Sequence, residues 1–183
     1  MSTCIEKAYV FECAAHFDGK FMCNTFDMLL KMEIETDDVR EQNIAIERMN
    51  YFLGYHIDSS IFIDQSCTKE IENYEKAGIK TVILPEEPYD QIVGLILMLK
   101  LNAIMEGRIV ITDAIYGSKM SSGIKFDTSI DQAVEMYKGK YWWNDASLNI
   151  RPVESKKDKD KVIKLRENNS WSELKLTWKE LPK

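Results

Sequence analysis

The clearest pattern of hydrophobic and polar positions lies near the start of the chain. Apolar side chains alternate with polar ones from Phe26 to Ile34, at the period of two that is typical of a half-buried strand. The preceding segment Tyr9–Phe17 is rich in aromatic and β-branched residues, and Asp18-Gly19 between the two runs is a strong signal for a two-residue turn. The pattern therefore predicts a long antiparallel hairpin.

Shorter elements follow, and their boundaries are marked by capping residues, glycines and prolines. Apolar residues spaced by three and four predict a helix first, and β-branched runs predict strands later. The predicted elements are a helix over Val39–Tyr55, a short apolar run in Ser59–Asp64, a charged helix over Thr68–Ala77, a strand over Ile79–Leu84, a strand over Arg108–Tyr116 with a hairpin partner at Ile124–Asp127, and a short helix over Ile130–Tyr137.

A helix predicted over Tyr89–Glu106 is apolar nearly all round, most strongly in Ile92–Met105. A helix of this kind must be covered on every side. Either it lies centrally against the sheet, which we favour, or its second face is an interface in a homo-oligomer. The apolar run is shorter than a bilayer span and contains Lys100 and Asn102, so no membrane insertion is expected.

The order of these elements predicts an α+β fold in a single domain. We expect a mostly antiparallel sheet with the N-terminal hairpin, two to three helices including the buried apolar one, and a C-terminal hairpin. Residues 1–150 form the predicted core domain. Residues 151–183 form a basic linker and a hairpin of Val162–Arg166 and Leu174–Trp178, expected to pack on the core.

Charge is divided unevenly along the 183 residues, whose net charge is −6. Residues 1–150 hold 14 Lys and Arg against 24 Asp and Glu, a balance of −10, whereas residues 151–183 hold 10 against 6, a balance of +4. An acidic body argues against nucleic acid wrapping the whole surface, although the basic segment allows a local contact.

The N-terminus lacks the pattern of a signal peptide, and the four cysteines show no metal-binding spacing. We therefore expect a cytoplasmic protein with reduced thiols and with neither metal nor cofactor. No pattern of a catalytic nucleophile appears either, so no catalytic residue is predicted and an enzyme is not favoured.

The loop from Gly117 to Gly123 is the best candidate for binding a small ligand such as a nucleotide. Glycines allow close approach of the backbone, hydroxyls donate hydrogen bonds and a lysine adds positive charge. The candidate residues are Gly117, Ser118, Lys119, Ser121, Ser122 and Gly123. The loop lacks the P-loop pattern and joins two predicted strands, so a plain hairpin loop is the favoured alternative.

Aromatic residues near the basic segment are the second candidate. Tyr141, Trp142 and Trp143 are consecutive, and Trp171 and Trp178 follow in the tail. Tryptophan and tyrosine are enriched at protein-binding hot spots, and aromatic rings also stack on nucleic-acid bases. Three interpretations stay open, in the order core cover, protein binding and binding of nucleic acid or a nucleotide.

Three further segments carry a family resemblance: Phe17–Phe21 with Asn24–Asp27, Leu84–Gln91, and Leu101–Arg108 continuing into Ile111–Asp113. They resemble a group of uncharacterised small acidic proteins encoded by tailed bacteriophages, notably those of marine bacteria, over roughly residues 8–143. The resemblance implies a viral protein acting in the cytoplasm of an infected bacterium or carried in the virion. It implies no activity and therefore no catalytic residues.

Together these patterns predict a non-catalytic accessory protein that binds a host or viral protein during host takeover or assembly. One alternative is a protein that binds or sequesters a nucleotide to counter a host defence. The other is a single-strand nucleic-acid binder that uses the basic, Trp-containing segment.

Overall fold

The computed structural model describes residues 3–139, 141–148 and 150. These residues form a six-stranded mixed sheet with four α-helices, which confirms the predicted α+β class with one or two helices more than expected. The strands are β1 (Thr3–Phe17), β2 (Lys20–Ile34), β3 (Ser60–Asp64), β4 (Thr81–Leu84), β5 (Ile109–Ser118) and β6 (Phe126–Ser129); the helices are α1 (Val39–Tyr51), α2 (Thr68–Lys76), α3 (Asp90–Met105) and α4 (Ile130–Met136). The predicted C-terminal hairpin and basic segment lie outside the described residues.

The N-terminal hairpin is confirmed. Asp18 and Gly19 have φ angles of 49° and 71°, as a two-residue turn with left-handed central residues requires, and Phe17 faces Lys20 across the turn. The alternating side chains of β2 are buried on one face of the sheet, as Met28 and Leu30 illustrate. Strand β1 begins at Thr3, earlier than the predicted start at Tyr9. The hairpin therefore extends beyond the segment Tyr9–Phe17 from which it was predicted.

The sheet has the order β4-β3-β1-β2-β5-β6. Pairing is antiparallel among β1, β2, β5 and β6, as predicted, and parallel between β1 and β3 and between β3 and β4. The run Ile61–Ile63 of β3 is buried throughout, which is typical of a parallel strand covered on both faces. Tyr74 of α2 meets the His16 ring edge-on at 6.1 Å, so α2 covers one face while α3 packs on the other.

Helix α3 is the centre of the core. Of the two predicted alternatives for its second face, the structure supports burial within the chain: every residue from Ile92 to Leu101 is buried, and α3 packs against β5 and α1. The helix therefore presents no exposed apolar face for self-association. A β-carbon placed on Gly94 would lie 2.3 Å from the Tyr116 ring, so glycine allows this close packing. No described helix is both long and apolar enough to cross a bilayer.

Candidate functional site

Two serines of the predicted ligand loop, Ser118 and Ser121, are bonded within the protein. Ser118 ends β5, and its hydroxyl donates to Asp90 Oδ1 at 2.8 Å while accepting from the Met120 N–H at 3.2 Å. The Ser121 hydroxyl donates to the Ser118 carbonyl at 2.8 Å. These bonds close a single 3₁₀ turn over Lys119–Ser121 and direct both hydroxyls inward.

The remaining candidate residues of the loop do not surround a common binding site. Lys119, Ser122 and Gly123 are exposed, and a β-carbon on Gly117 would lie 2.5 Å from the Ile124 carbonyl oxygen. Glycine at position 117 thus allows Ile124, two residues before β6, to lie close to β5, and it does not leave space for a ligand. The geometry fits a hairpin loop, the alternative favoured from the sequence.

The aromatic residues at 141–143 belong mostly to the core. Trp142 and Trp143 are buried, and the Trp142 Nε1–H donates to the Ile83 carbonyl at 2.9 Å. Tyr141 stacks on Trp143 with ring centroids 4.5 Å apart and is half exposed. Because both tryptophans are buried, their rings are not accessible to a protein partner or a nucleic-acid base. This fits the interpretation that they cover the core. Trp171 and Trp178 lie outside the described residues.

A buried lysine that the sequence did not single out as a structural residue holds this aromatic segment. Lys100 of α3 is fully buried, and its ammonium donates to the carbonyls of Trp142 (2.7 Å), Asp145 (2.8 Å) and Ser147 (2.7 Å). All three protons of the ammonium therefore have acceptors. Burial lowers the pKa of Lys100 to about 8, while the Asp145 carboxylate acts in the opposite direction. The arrangement is a structural anchor.

A groove runs along β1 where that strand loses its neighbour. It has a volume of about 190 Å³ and is lined by Tyr9–Phe11, Asn50, Leu53, Gly54 and Asp58; we call it the β1 groove. Strand residues form one wall, and the end of α1 with the following turn forms the other. A β-carbon on Gly54 would meet no atom within 4 Å, so this glycine leaves the helical wall open.

The β1 groove coincides with an unpaired stretch of sheet edge. Strand β3 pairs with β1 only from Cys13 to His16, so β1 has no neighbour on that side before Cys13 among the described residues. The two-residue turn makes Phe17 and Lys20 a hydrogen-bonded pair. Hydrogen-bonded and non-hydrogen-bonded pairs alternate along an antiparallel ladder, so the N–H and C=O of every even-numbered β1 residue point away from β2. Within the described residues, the main-chain N–H and C=O of Ala8 and Val10 therefore have no partner along the groove.

The last even residue before the β3 ladder shows this outward direction directly. The Glu12 N–H donates to Asp58 Oδ1 at 3.1 Å, and the Glu12 carbonyl accepts from the Ser59 N–H at 2.7 Å. Ser59 has a φ of 59°, where the chain swings into β3. Asp58 and Ser59 therefore close one end of the groove.

A π-helical turn over Phe52–Ile57 builds the helical wall, where the sequence predicted one continuous helix to Tyr55. The Asp58 N–H donates to the Leu53 carbonyl at 2.8 Å, the wider bond of a π-turn. The Lys80 ammonium donates to the carbonyls of Tyr55 (3.0 Å) and Asp58 and so satisfies the end of the turn. Such turns often occur at functional sites.

The strand wall is fixed from the helix side. Asn50 Oδ1 accepts from the Tyr9 hydroxyl at 2.8 Å and from the Lys7 ammonium at 3.0 Å, and this ammonium also lies 5.1 Å from the Tyr9 ring centroid. Burial lowers the pKa of Lys7 and raises that of Tyr9. These contacts orient Tyr9 across the groove. The neighbouring Val10, on the other face of β1, is 70% exposed.

The chain matches no protein-family model and no curated protein sequence. Among solved structures it is similar to the uncharacterized protein WS1659 from Wolinella succinogenes, with 10% sequence identity and a TM-score of 0.48. The match covers 70% of this chain and 98% of that chain. A likeness this distant indicates no function.

Proposed function

We propose that this protein is a non-catalytic binding protein whose partner, a host or viral protein, adds an extended segment as a strand to the free edge of β1. In the phage setting that the family resemblance implies, the partner is met in the infected cell or in the virion. The observation that carries the proposal is the coincidence of a free edge, at Ala8 and Val10, with the β1 groove.

Strand addition needs main-chain groups that lack partners and room for alternate side chains of the incoming segment. The edge supplies the first, because the outward N–H and C=O groups of Ala8 and Val10 find no partner within the described part of the chain. The groove supplies the second, since inward side chains of an added strand would pass between Phe11 and Leu53 above Gly54.

A strand edge without a partner is a risk to a protein that does not use it for binding, because it can pair with other chains. Exposed edges pair with other chains unless they are short, twisted, charged or covered. On β1 the outward residues between Glu6 and Glu12 are the apolar Ala8 and Val10, both exposed. The face that carries Ala8 and Val10 therefore has no charge between Glu6 and Glu12, and the Lys7 ammonium on the other face is held by Asn50. This favours a binding role.

Selection of linear peptides from a random library on the full-length protein tests the proposal. Gly54→Leu places a side chain in the open groove and is expected to abolish binding of the selected peptides without loss of stability. Val134→Leu is the matched control, because Val134 is exposed on α4, away from the groove lining.

A second pair of variants tests the edge itself. Val10→Pro removes the outward N–H without breaking a bond to β2, so it should prevent strand addition, whereas Val10→Thr keeps the N–H and should bind. Peptides that bind Gly54→Leu and Val10→Pro as tightly as the native protein would overturn the proposal, as would a library that yields no binder.

A further inference from the structure

Lys7 lies at the end of the β1 groove that stays open. At the other end, Asp58 and Ser59 already occupy the edge through their bonds to the main chain of β1. A segment added to the free edge can therefore continue only toward the start of β1. There Lys7 precedes Tyr9 on the groove side of the strand, because alternate residues share a face.

The Lys7 ammonium lies against the groove wall. It donates to Asn50 Oδ1 at 3.0 Å and lies 5.1 Å from the centroid of the Tyr9 ring. Asn50 and Tyr9 both line the groove, and both contacts are with neutral groups. Burial lowers the pKa of Lys7. A positive charge is therefore partly removed from water beside the groove.

No carboxylate offsets this charge within the described part of the chain, where none lies within 4.0 Å of the Lys7 ammonium. Glu6 is next to Lys7 in sequence but lies on the other face of β1, directly opposite Lys31 of β2. An ammonium has three protons to donate, and among the described residues Asn50 accepts one of them. Two protons therefore remain for a further acceptor.

A strand added to this edge brings a side chain next to the ammonium. The outward main-chain groups of β1 belong to even-numbered residues, so Lys7 forms a non-hydrogen-bonded pair with an antiparallel added strand. In such a pair the Cα atoms are about 4.5 Å apart and the two side chains lie close together on one face. The side chain opposite Tyr9 enters the groove, so the one facing Lys7 is two residues away from it in either chain direction.

We infer that the segment bound at the β1 edge carries an aspartate or glutamate facing Lys7, two residues from the apolar side chain that enters the groove. The inference rests on the proposed function and names the partner's chemistry. A carboxylate at this position accepts from the ammonium and offsets a positive charge that burial disfavours. Opposite charges on facing residues of neighbouring strands are favourable.

Parallel selections from the random peptide library test the inference on the full-length protein. Peptides selected on the native protein should be enriched in aspartate or glutamate two residues from an apolar position. Peptides selected on Lys7→Glu should be enriched in lysine or arginine at the same place. Lys69→Glu is the matched control, because it makes the same charge change at an exposed site on α2, which covers the other face of the sheet. Its selected peptides should match those of the native protein.

Affinity measurements give the second readout. A peptide selected on the native protein, with both termini capped, is compared with the same peptide carrying lysine in place of the acidic residue. We expect this replacement to weaken binding to the native protein about fivefold by fluorescence anisotropy at low salt, and by less as salt is added. Lys7→Glu should reverse the order of the two peptides. Lys7→Gln, which keeps a donor for Asn50, should bind both about equally.

The outcomes separate the inference from the proposed function. Selected peptides that lose binding to Gly54→Leu but show no acidic enrichment, or whose order of affinity does not respond to the Lys7 variants, would overturn the acidic preference and leave strand addition standing. A library that yields no binder, or peptides that bind Gly54→Leu and Val10→Pro as tightly as the native protein, would overturn both.

Discussion

The main-chain N–H of Glu12 donates to the side-chain carboxylate of Asp58 at 3.1 Å, at the point where β1 gains β3 as its neighbour. The Asp58 carboxylate therefore accepts the hydrogen bond that a carbonyl of a neighbouring strand would otherwise accept. Asp58→Ala removes this acceptor, whereas Asp58→Asn keeps one. Because the bond is exposed and water can replace it, we expect Asp58→Ala to lower the free energy of unfolding by about 1 kcal/mol and Asp58→Asn by less. Urea denaturation measures both, and equal losses would contradict the assigned role.

The anchoring of the 142–147 segment by Lys100 gives the largest expected change in stability. Lys100→Met buries a side chain of similar length but leaves three carbonyls without a donor. We expect the free energy of unfolding to fall by about 3–5 kcal/mol, with altered near-ultraviolet dichroism from Trp142 and Trp143.

The control for that change is Lys76→Met. Lys76 is exposed and, among the described residues, pairs with Glu72 alone, one turn earlier on α2, at 3.4 Å. An exposed pair of this kind contributes about 0–1 kcal/mol. Similar losses for the two lysine variants would contradict the anchoring role of Lys100.

Two glycines in helical segments give opposite predictions for the same substitution. Gly94→Ala would drive a methyl group into the Tyr116 ring, whereas at Gly54 the methyl group would meet nothing within 4 Å. We expect Gly94→Ala to lower the free energy of unfolding by about 1–3 kcal/mol and Gly54→Ala to raise it by about 0.5–1 kcal/mol. Thermal unfolding of both variants measures the contrast, and a stabilised Gly94→Ala would show that α3 and β5 are less closely packed than described.

Acid sensitivity is expected from His56 in the π-helical turn. Burial lowers the pKa of His56, and the positive charges of Lys80 and Lys100 lower it further. The unfolded chain, where a histidine pKa is about 6.5, therefore binds the proton at higher pH than the folded protein. Stability contributed by neutral His56 is present above about pH 6.5 and is lost as the pH falls below that value.

The corresponding measurement is urea denaturation at a series of pH values from about 7.5 to about 5. The free energy of unfolding of the native protein should fall more steeply with acid than that of His56→Gln. Parallel curves for the two proteins would contradict the assigned shift. The His56 ring stacks on Phe52 at 5.6 Å, so any loss of that contact should be independent of pH.

The sequence predicts the local elements of this fold well, because their signals lie within a few residues. The turn at Asp18-Gly19, the alternation of β2 and the buried α3 are each present in the structure near the predicted positions. Strand β6 begins at Phe126, two residues later than predicted, since nothing local distinguishes it from Ile124.

The features of the candidate site depend on non-local contacts and could not be predicted in the same way. Lys100 appears in the sequence only as a charge in an apolar helix, because its three acceptors lie more than forty residues away. The free edge of β1 depends on where β3 stops pairing, at Cys13. One local signal did exist: Gly54 interrupts an otherwise regular helical pattern, at the site of the π-helical turn.

Residue-resolved amide hydrogen exchange along β1 tests the central claim most directly. In the free protein the amides of Ala8 and Val10 should exchange at least about tenfold faster than those of Tyr9 and Phe11, which are directed toward β2. On addition of a peptide selected from the random library on the native protein, the amides of Ala8 and Val10 should become protected. Protection of these two amides in the free protein, or continued fast exchange with the peptide bound, would contradict strand addition at this edge.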